Sequence, residues 1–365
     1  MLKLPKEPVF RVRSTGRISA KGMRPFIDML ESSEALMRFD RIRCRAGGAL
    51  KFSAVNMMTV ITYIEIRKIS YEEYETSVKG RGGQVILRNL GMPTDANGRY
   101  LAPSRGWISD FRNHLYYHFG YELELEMRNS VLQRMKESDR NLIVTVDSTP
   151  LEASRYSKWA KFNVHYNIRM AKAHIIMVNG VPLTYSFTNG RAADGPEFIR
   201  LLQGYDSVQL RGIRILSDGG YASHDTYLEV FRRTGMVMSS NIRHDGIVHE
   251  EATYPKLIRL YNGLNRNRDF VAQKHITPGR MLMYLANHGY GDRVGWFLRN
   301  LDMCRGDRIH CADAKDRHVC ETVHHGMKRW VSLDVRGLNR KYAEKRIRIR
   351  LFICSMLCFV FEPYC

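Results

Sequence analysis

Two short apolar runs that each end in an aspartate constrain this chain more than any other feature. The first spans Leu142 to Val146, is rich in β-branched residues and is followed by Asp147. Such a run is typical of a strand buried on both faces. The next three residues, 148–150, read Ser-Thr-Pro and are expected to end the strand. Taken alone, this aspartate could simply cap a turn.

The second run, Ile213 to Leu216, repeats the pattern. It leads through Ser217 to Asp218 and the flexible sequence Gly-Gly-Tyr, which lets backbone approach a ligand. Carboxylates at the carboxyl ends of neighbouring strands lie where α/β folds place their chemistry. Because no other nucleophile accompanies them, we expect Asp147 and Asp218 to hold a divalent metal through oxygen ligands.

The charge balance indicates a polyanionic partner. Lysine and arginine total 57 against 37 aspartate and glutamate, which gives a net charge of +20 and a pI near 9.8. This surplus favours nucleic acid ahead of an anionic membrane, although a generally basic surface is the simpler alternative.

The cysteines predict a reduced, cytoplasmic compartment. There are seven, and the basic, proline-broken start of the chain does not resemble a secretory signal. Cys304, Cys311 and Cys320 could form a zinc cluster, but their spacing lacks the close pairs of common zinc modules. The longest apolar run, Leu351 to Phe361, is too short to cross a membrane and predicts a packed terminal helix with Cys354 and Cys358 in the core.

The N-terminal part divides into two predicted regions. Residues 1–50 are interpreted as a basic arm, either a contact for phosphates or a solvated tail. Residues 51–138 predict a helical domain that could bind DNA, in which 104–134 is helical. The apolar stripe that starts this domain is Val55, Met58, Ile61 and Ile64.

Residues 139–365 predict an α/β domain with a mixed sheet. After the Asp147 strand, the order is a hairpin turning at Asn179-Gly180, a helix opened by Asp194-Gly195-Pro196-Glu197, the Asp218 strand, a helix and a further strand. The rhythm is lost at about 243–311, where arginines alternate with aromatic residues. We interpret this stretch as an insertion, and its composition suits a nucleic-acid surface as well as a small basic core.

A third acidic candidate, Glu321, follows the insertion. Arg317, Glu321, His324 and Lys328 are spaced i, i+4, i+7 and i+11 and would share one helix face. A solvated charge row is the ordinary explanation of such a face. Glu250 and Glu251 compete for the same role, but they lack a helical stripe that would fix them in place.

These motifs resemble those of DDE transposases of the bacterial and archaeal insertion-sequence type. V-T-V-D-S-T resembles the first acidic motif and L-S-D-G-G-Y-A-S the second. The third motif of that group, Tyr-x2-Arg-x3-Glu-x6-Lys, fits Arg317, Glu321 and Lys328, but Ala314 stands where the tyrosine is expected.

The resemblance implies a ribonuclease-H-like mixed sheet flanked by helices, with Asp147 on the first strand, Asp218 on the fourth and Glu321 on a helix after the insertion. It implies that these three carboxylates bind two Mg²⁺ ions, which Mn²⁺ can replace, and that Arg317 and Lys328 contact DNA phosphates. The implied partners are the terminal inverted repeats and the target DNA, bound by a homodimer or higher oligomer. The implied setting is the cytoplasm of a prokaryote, at the nucleoid, without a membrane.

The implied reaction cuts the transposon end and joins its 3′-hydroxyl to target DNA by two-metal-ion phosphoryl transfer. Two alternatives remain open at the level of sequence. One is an inactive or repurposed remnant that still binds DNA, and the other is a metal-dependent, structure-specific nuclease.

Overall fold

A mixed sheet with helices on both faces forms the centre of the protein, as seen in a computed structural model. The residues that it describes are 2–5, 18–47, 50–137, 142–154, 156–236, 238–240, 317, 322–323, 326–333 and 339–360. The predicted insertion at 243–311 lies outside them. So do Cys304, Cys311 and Cys320.

The N-terminal region is helical. Its helices are α1 Arg24–Glu31, α2 Glu34–Gly47, α3 Ala54–Arg67, α4 Tyr71–Lys79, α5 Gly83–Asn89, α6 Arg105–His118 and α7 Gly120–Glu137. Ser53, Ser70 and Ser104 each accept a hydrogen bond from a backbone N–H in the first turn of the helix that follows, which explains where α3, α4 and α6 begin.

One expectation for this region is corrected. The segment 1–50 is not an arm throughout, because α1 and α2 bury Phe26, Leu30 and Leu36 in the core. Basic residues are interspersed with apolar ones that share a helix face, and the burial of this apolar face drives the packing of the helices. The helical stretch expected at 104–134 is confirmed and consists of two helices, since α6 ends at His118 and α7 begins at Gly120.

The described residues then form six strands: β1 Ile143–Glu152, β2 Lys161–Asn163, β3 Ile168–Val178, β4 Val181–Asn189, β5 Arg214–Ser217 and β6 Ser239–Ser240. The helices among and after them are α8 Asp194–Leu202, α9 Ser207–Leu210, α10 His224–Thr234 and α11 Arg340–Val360.

The strand order is β2-β3-β1-β5-β6, with β4 also paired to β3. The β1–β3 and β3–β4 pairs are antiparallel, whereas β5 and β6 continue parallel to β1. The expected ribonuclease-H-like mixed sheet is therefore confirmed.

The hairpin between β3 and β4 turns where the sequence predicts. Asn179 and Gly180 both have positive φ angles, 47° and 79°, as the tight turn requires. Asn179 also accepts the Ile143 N–H through its side-chain oxygen at 2.9 Å and so fixes the start of β1.

β1 does not end at Asp147, which corrects the sequence prediction. It runs on through Pro150 to Glu152, paired with β3 to the end. Beyond Val146 the β5 side of β1 carries no partner strand among the described residues, and an edge position of this kind tolerates proline.

Helix α11 connects the sheet to the N-terminal helices. Its Ser355 hydroxyl donates to the Pro182 carbonyl of β4, and its Cys354 is fully buried while Cys358 packs against the core. The packed terminal helix expected from the sequence is confirmed, and no described helix is long and apolar enough to cross a membrane.

Ion pairs between arginines of α11 and glutamates of α3 and α7 hold α11 against the N-terminal region. Arg350 donates to Glu65 of α3 at 2.7 Å, and Arg348 donates to Glu124 of α7 at 2.8 and 3.0 Å. The Arg350 and Glu65 side chains are only 4% and 7% exposed. Burial lowers the pKa of Arg350, because the charged guanidinium loses water that Glu65 must replace. The predicted division at residue 138 thus separates regions that share one core.

We expect Arg350→Met to lower the free energy of unfolding by about 3–5 kcal/mol, because it leaves the buried Glu65 carboxylate without its main partner. Replacing both residues with methionine should restore most of that loss. Urea unfolding measures both variants, with Glu72→Gln as control because the exposed Glu72–Arg105 pair should contribute less than about 1 kcal/mol. A double variant as unstable as the single one would contradict this account.

Candidate active site

The two predicted aspartates meet because β1 and β5 pair in parallel. Val146 lies opposite Ser217 at the last paired position, so Asp147 and Asp218 both come one residue later. Both side chains are half-buried. Asp147 lies within β1, whereas Asp218 follows the end of β5, so the turn after Asp218 opens towards the β1 carboxylate.

The sheet places Asp147 on the face that α11 covers. Asp147 is paired with Ile175, and Ile175 with Tyr185, whose hydroxyl donates to the Arg348 carbonyl of α11. Because opposite residues of an antiparallel pair share a face, Asp147 points to that side. The pair Ser148 and His174 points to the other side, towards α8.

Asp218 is surrounded by negative charge. Burial, followed by the charges of Asp147 and then Asp194, raises the pKa of its carboxyl group. A hydrogen bond from the Gly220 N–H and the positive charge of Arg317 act in the opposite direction. The net increase means that the ionised form of Asp218 is disfavoured here, and a bound cation would relieve that repulsion.

The Gly219-Gly220-Tyr221 turn shapes the space beside Asp218. The Gly220 N–H donates to the Asp218 Oδ1 at 2.9 Å. A Cβ at Gly220 would lie 3.1 Å from that oxygen and 3.5 Å from the Asp194 Oδ2, so any larger residue would crowd both carboxylates. Glycine therefore keeps open the space that a ligand of these oxygens would need.

Tyr221 forms the floor of the site. It is fully buried and packs edge-on against Phe198 of α8, with ring centroids 5.7 Å apart. Burial and the charges of Asp194, Asp147 and Asp218 all raise the pKa of its phenol, which keeps the hydroxyl protonated. A neutral hydroxyl among three carboxylates adds polarity without adding negative charge.

A buried polar cluster supports the α8 side of the site. The Lys172 ammonium lies 3.0 Å from the Asp194 Oδ1 and also donates to the Ala192 carbonyl, while the His174 Nδ1 lies 3.4 Å from the same Asp194 oxygen. The His174 Nε2 and the Thr188 hydroxyl are 2.7 Å apart. Burial lowers the pKa of His174, despite the opposing charge of Asp194.

Sequence reasoning missed this cluster. Asp194 was assigned to the opening turn of a helix, which it does form, and that position hides its second role beside Asp218. Lys172 and His174 alternate along a strand like ordinary sheet residues. The signal that was available is that both are polar residues on a strand otherwise buried along most of its length.

Arg317 and Lys328 both lie near the aspartates. The charge of Arg317 acts on Asp218, and the charge of Asp147 acts on Lys328. Lys328 keeps much of its side chain in solvent, and the part that packs lowers the pKa of its ammonium group against the effect of Asp147. The residues around Lys328, 326–330, are helical and bury Met327 and Trp330.

Glu321, Glu250, Glu251 and Ala314 lie outside the described residues. In the described part of the chain, no three His, Cys, Asp or Glu residues form a group that could hold a metal ion. The structure thus brings together Asp147, Asp218, Arg317 and Lys328 of the predicted site residues.

The residues present fit a divalent cation. Hard cations such as Mg²⁺ prefer carboxylate oxygens and retain several waters, so two carboxylates and an open space beside them suffice on the protein side. The two aspartates supply the oxygens, their mutual repulsion favours a cation, and Gly220 leaves the room.

Comparison with known families agrees with this geometry. Residues 139–261 match the family model described as "Transposase DDE domain". The matched segment carries both aspartates and ends before Arg317, Glu321 and Lys328. No curated protein and no solved structure matches the chain closely enough to show a relationship. Residues 139–261, about a third of the chain, are thus similar to the DDE domain of transposases.

Proposed function

We propose that this protein is a DDE transposase that cuts the DNA at transposon ends and joins the freed 3′-hydroxyl to target DNA by two-metal-ion phosphoryl transfer. The observation that carries the proposal is the electrostatic coupling of Asp147 and Asp218 at the end of the β1–β5 pair. Burial and the neighbouring charge of Asp147 raise the pKa of Asp218, and a carboxylate in such surroundings is suited to a divalent cation.

Asp147, Asp218 and Glu321 would hold the metal ions, which are Mg²⁺ with Mn²⁺ as a substitute. When bound, two such ions about 3.5–4 Å apart activate the attacking oxygen and stabilise the leaving oxygen of an in-line displacement. The protein contributes the fixed positions of the carboxylates, which the sheet and the Gly220 turn provide.

Support for Glu321 comes from its neighbours in the predicted row. Arg317 and Lys328 begin and end that row, and each interacts electrostatically with one aspartate of the pair. A helix through residues 317–328 would place the Glu321 carboxylate on the same face as these two cations, and therefore near the aspartates. Asp194 is the described alternative, but the Lys172 ammonium 3.0 Å away already balances its charge.

Arg317 and Lys328 would contact DNA phosphates. Their position beside the aspartates suits the phosphates next to the scissile bond, where contacts fix the strand without reading its sequence. The net charge of +20 supports binding of the terminal repeats and the target DNA more broadly. A homodimer or higher oligomer on DNA would bring two ends together, and a prokaryotic nucleoid is the proposed place of action.

We expect Asp147→Asn and Asp218→Asn each to lower Mg²⁺-dependent cleavage by about 1000-fold or more while DNA binding persists. The asparagine keeps the size of the side chain but loses the charge that holds the metal. A bound metal stabilises the transition state by several kcal/mol, and each 1.36 kcal/mol changes the rate about tenfold. Cleavage and strand transfer are measured on duplexes that carry the DNA flanking the gene. Asp225→Asn, at an exposed position of α10, is the matched control.

Cleavage by either aspartate variant at the wild-type rate would exclude that residue as a metal ligand. Cleavage without strand transfer by the wild-type protein would favour the nuclease alternative. Binding without either reaction would favour the inactive remnant.

Glu321→Gln should abolish cleavage as completely as the aspartate variants, whereas Glu250→Gln and Glu251→Gln should cleave like wild type. Asp194→Asn should reduce the rate by less than about 100-fold, because support beyond the metal ligands typically contributes about 10- to 100-fold. The four rates are compared at saturating Mg²⁺ and again in Mn²⁺. An active Glu321→Gln together with an inactive Asp194→Asn would make Asp194 the third carboxylate.

Binding to duplex DNA should weaken steeply with salt, with a slope of log K against log salt near −0.9 for each phosphate contacted. Arg317→Ala and Lys328→Ala should each make the slope shallower by about one. Lys136→Ala is the control. Lys136 is exposed in α7, the helix that precedes β1, and is not one of the residues placed near the aspartates. A flat slope for the wild type would remove nucleic acid as the main partner.

A further inference from the structure

The β2–β3 hairpin displays an unusual group of exposed apolar side chains. Four large hydrophobic residues within 156–166 are exposed: Tyr156 at 60%, Phe162 at 41%, Val164 at 79% and Tyr166 at 45%. We call the three aromatic residues among them the hairpin aromatics. The other exposed large hydrophobic residues of the described chain are scattered over several helices and a loop. Scattered exposure needs no explanation, but a group of this density indicates an interaction surface.

Buried residues and hydrogen bonds fix the hairpin to the rest of the sheet. Trp159 packs against the core, and Ala160 and Ser157 are fully buried. Arg169 donates to the Ala160 carbonyl at 2.6 Å, and Asn163 donates to the Gly190 carbonyl at 2.6 Å. The apolar side chains are therefore presented on a rigid frame, which lowers the entropy lost when a partner binds.

The charged side chains of residues 153–193 are all positive, and Glu152 precedes them at the base of the hairpin. Residues 153–193 contain no aspartate or glutamate and six basic residues, namely Arg155, Lys158, Lys161, Arg169, Lys172 and Arg191. Lys158, Lys161 and Arg191 are exposed, and Arg191 donates to the Phe162 carbonyl at 3.0 Å. Aromatic side chains among exposed cations suit a nucleic-acid strand, whose bases stack on the rings and whose phosphates pair with the cations.

The hairpin lies at the carboxylate end of the sheet. β1 runs five residues from Asp147 to Glu152, which is paired with Met170, and Met170 is in turn paired with Lys161 of β2. At about 3.3 Å per residue this is about 17 Å along the strand, a distance that a few nucleotides can span. A DNA strand held at the aspartates could therefore reach the hairpin.

We propose that the hairpin aromatics bind unpaired nucleotides of the DNA strand next to the cleavage point, with Phe162, Tyr166 and Tyr156 stacking on the bases. The inference rests on the proposed function, because it takes DNA as the substrate of the neighbouring site. A base inside an intact duplex cannot offer its face to a side chain, so the occupant is single-stranded. A second copy of this chain fits less well, since two such basic hairpins would repel each other.

The test uses two fluorescent probes, a blunt duplex and the same duplex with a five-nucleotide thymidine overhang, in fluorescence anisotropy at fixed salt. The wild-type protein should bind the overhang probe at least about fivefold more tightly, the effect of one stacked base. Phe162→Ala combined with Tyr166→Ala should remove this preference and leave blunt-duplex affinity unchanged.

Two controls separate stacking from general damage. Phe162→Trp keeps an aromatic face and should retain the preference. Tyr121→Ala removes an aromatic residue that is 65% exposed on α7 and should also retain it. Ultraviolet cross-linking to an overhang containing 5-iododeoxyuridine should attach the nucleotide within residues 156–166.

Equal affinity of the wild type for both probes, or a preference unchanged in the double variant, would overturn the proposal. Loss of self-association in that variant, measured by sedimentation with DNA binding intact, would assign the surface to a second copy instead. Blunt-duplex binding and Mg²⁺-dependent cleavage are scored in parallel. If they fail in the wild type, the proposed function fails, and if they persist without a hairpin effect, only this inference fails.

Discussion

The parallel pairing of β1 with β5 is the constraint on which the site depends. Four residue pairs, from Ile143–Arg214 to Val146–Ser217, set the relative height of the two strands. A slip of one residue would shift the two aspartates by about 3.3 Å relative to each other. It would also turn every side chain of the slipped strand to the opposite face. Because Val144, Val146, Ile215 and Leu216 are almost completely buried, such a slip would disrupt the core packing on both faces of the sheet, and hydrophobic packing therefore holds the carboxylates together.

The geometry so enforced is electrostatically unfavourable in the absence of a cation. Asp218 lies between Asp147 on one side of the sheet and Asp194 on the other, and both charges raise the pKa of its carboxyl group. The surrounding structure offsets this with Arg317, the Gly220 N–H and the Lys172–Asp194 ion pair. Strain of this kind is retained where it serves binding, and a divalent cation is the partner that relieves it most directly.

Helix α11 explains why the N-terminal helices belong to the same structural unit as the sheet. Its buried Arg350 pairs with Glu65 of α3 and its partly buried Arg348 with Glu124 of α7, and its other side packs on β4. The face of the sheet that bears Asp147 is thus covered by a helix from the end of the chain and supported by helices from its start. Such long-range closure is invisible to local patterns, because the paired residues Glu65 and Arg350 are 285 positions apart.

Local sequence determined the elements and the two aspartates. The β-branched runs before Asp147 and Asp218, the Asn179-Gly180 turn and the acidic opening of α8 each form as their own residues dictate. Tertiary structure decided what no local pattern contains. Pro150 remains in β1 because the strand has no described partner on its β5 side there, α1 and α2 pack because their apolar faces find a core, and Asp194 joins the site because β3 brings Lys172 and His174 beneath it. Sequence patterns report the preferences of neighbouring residues, whereas the field at Asp218 is the sum of charges from strands, turns and helices that only folding brings together.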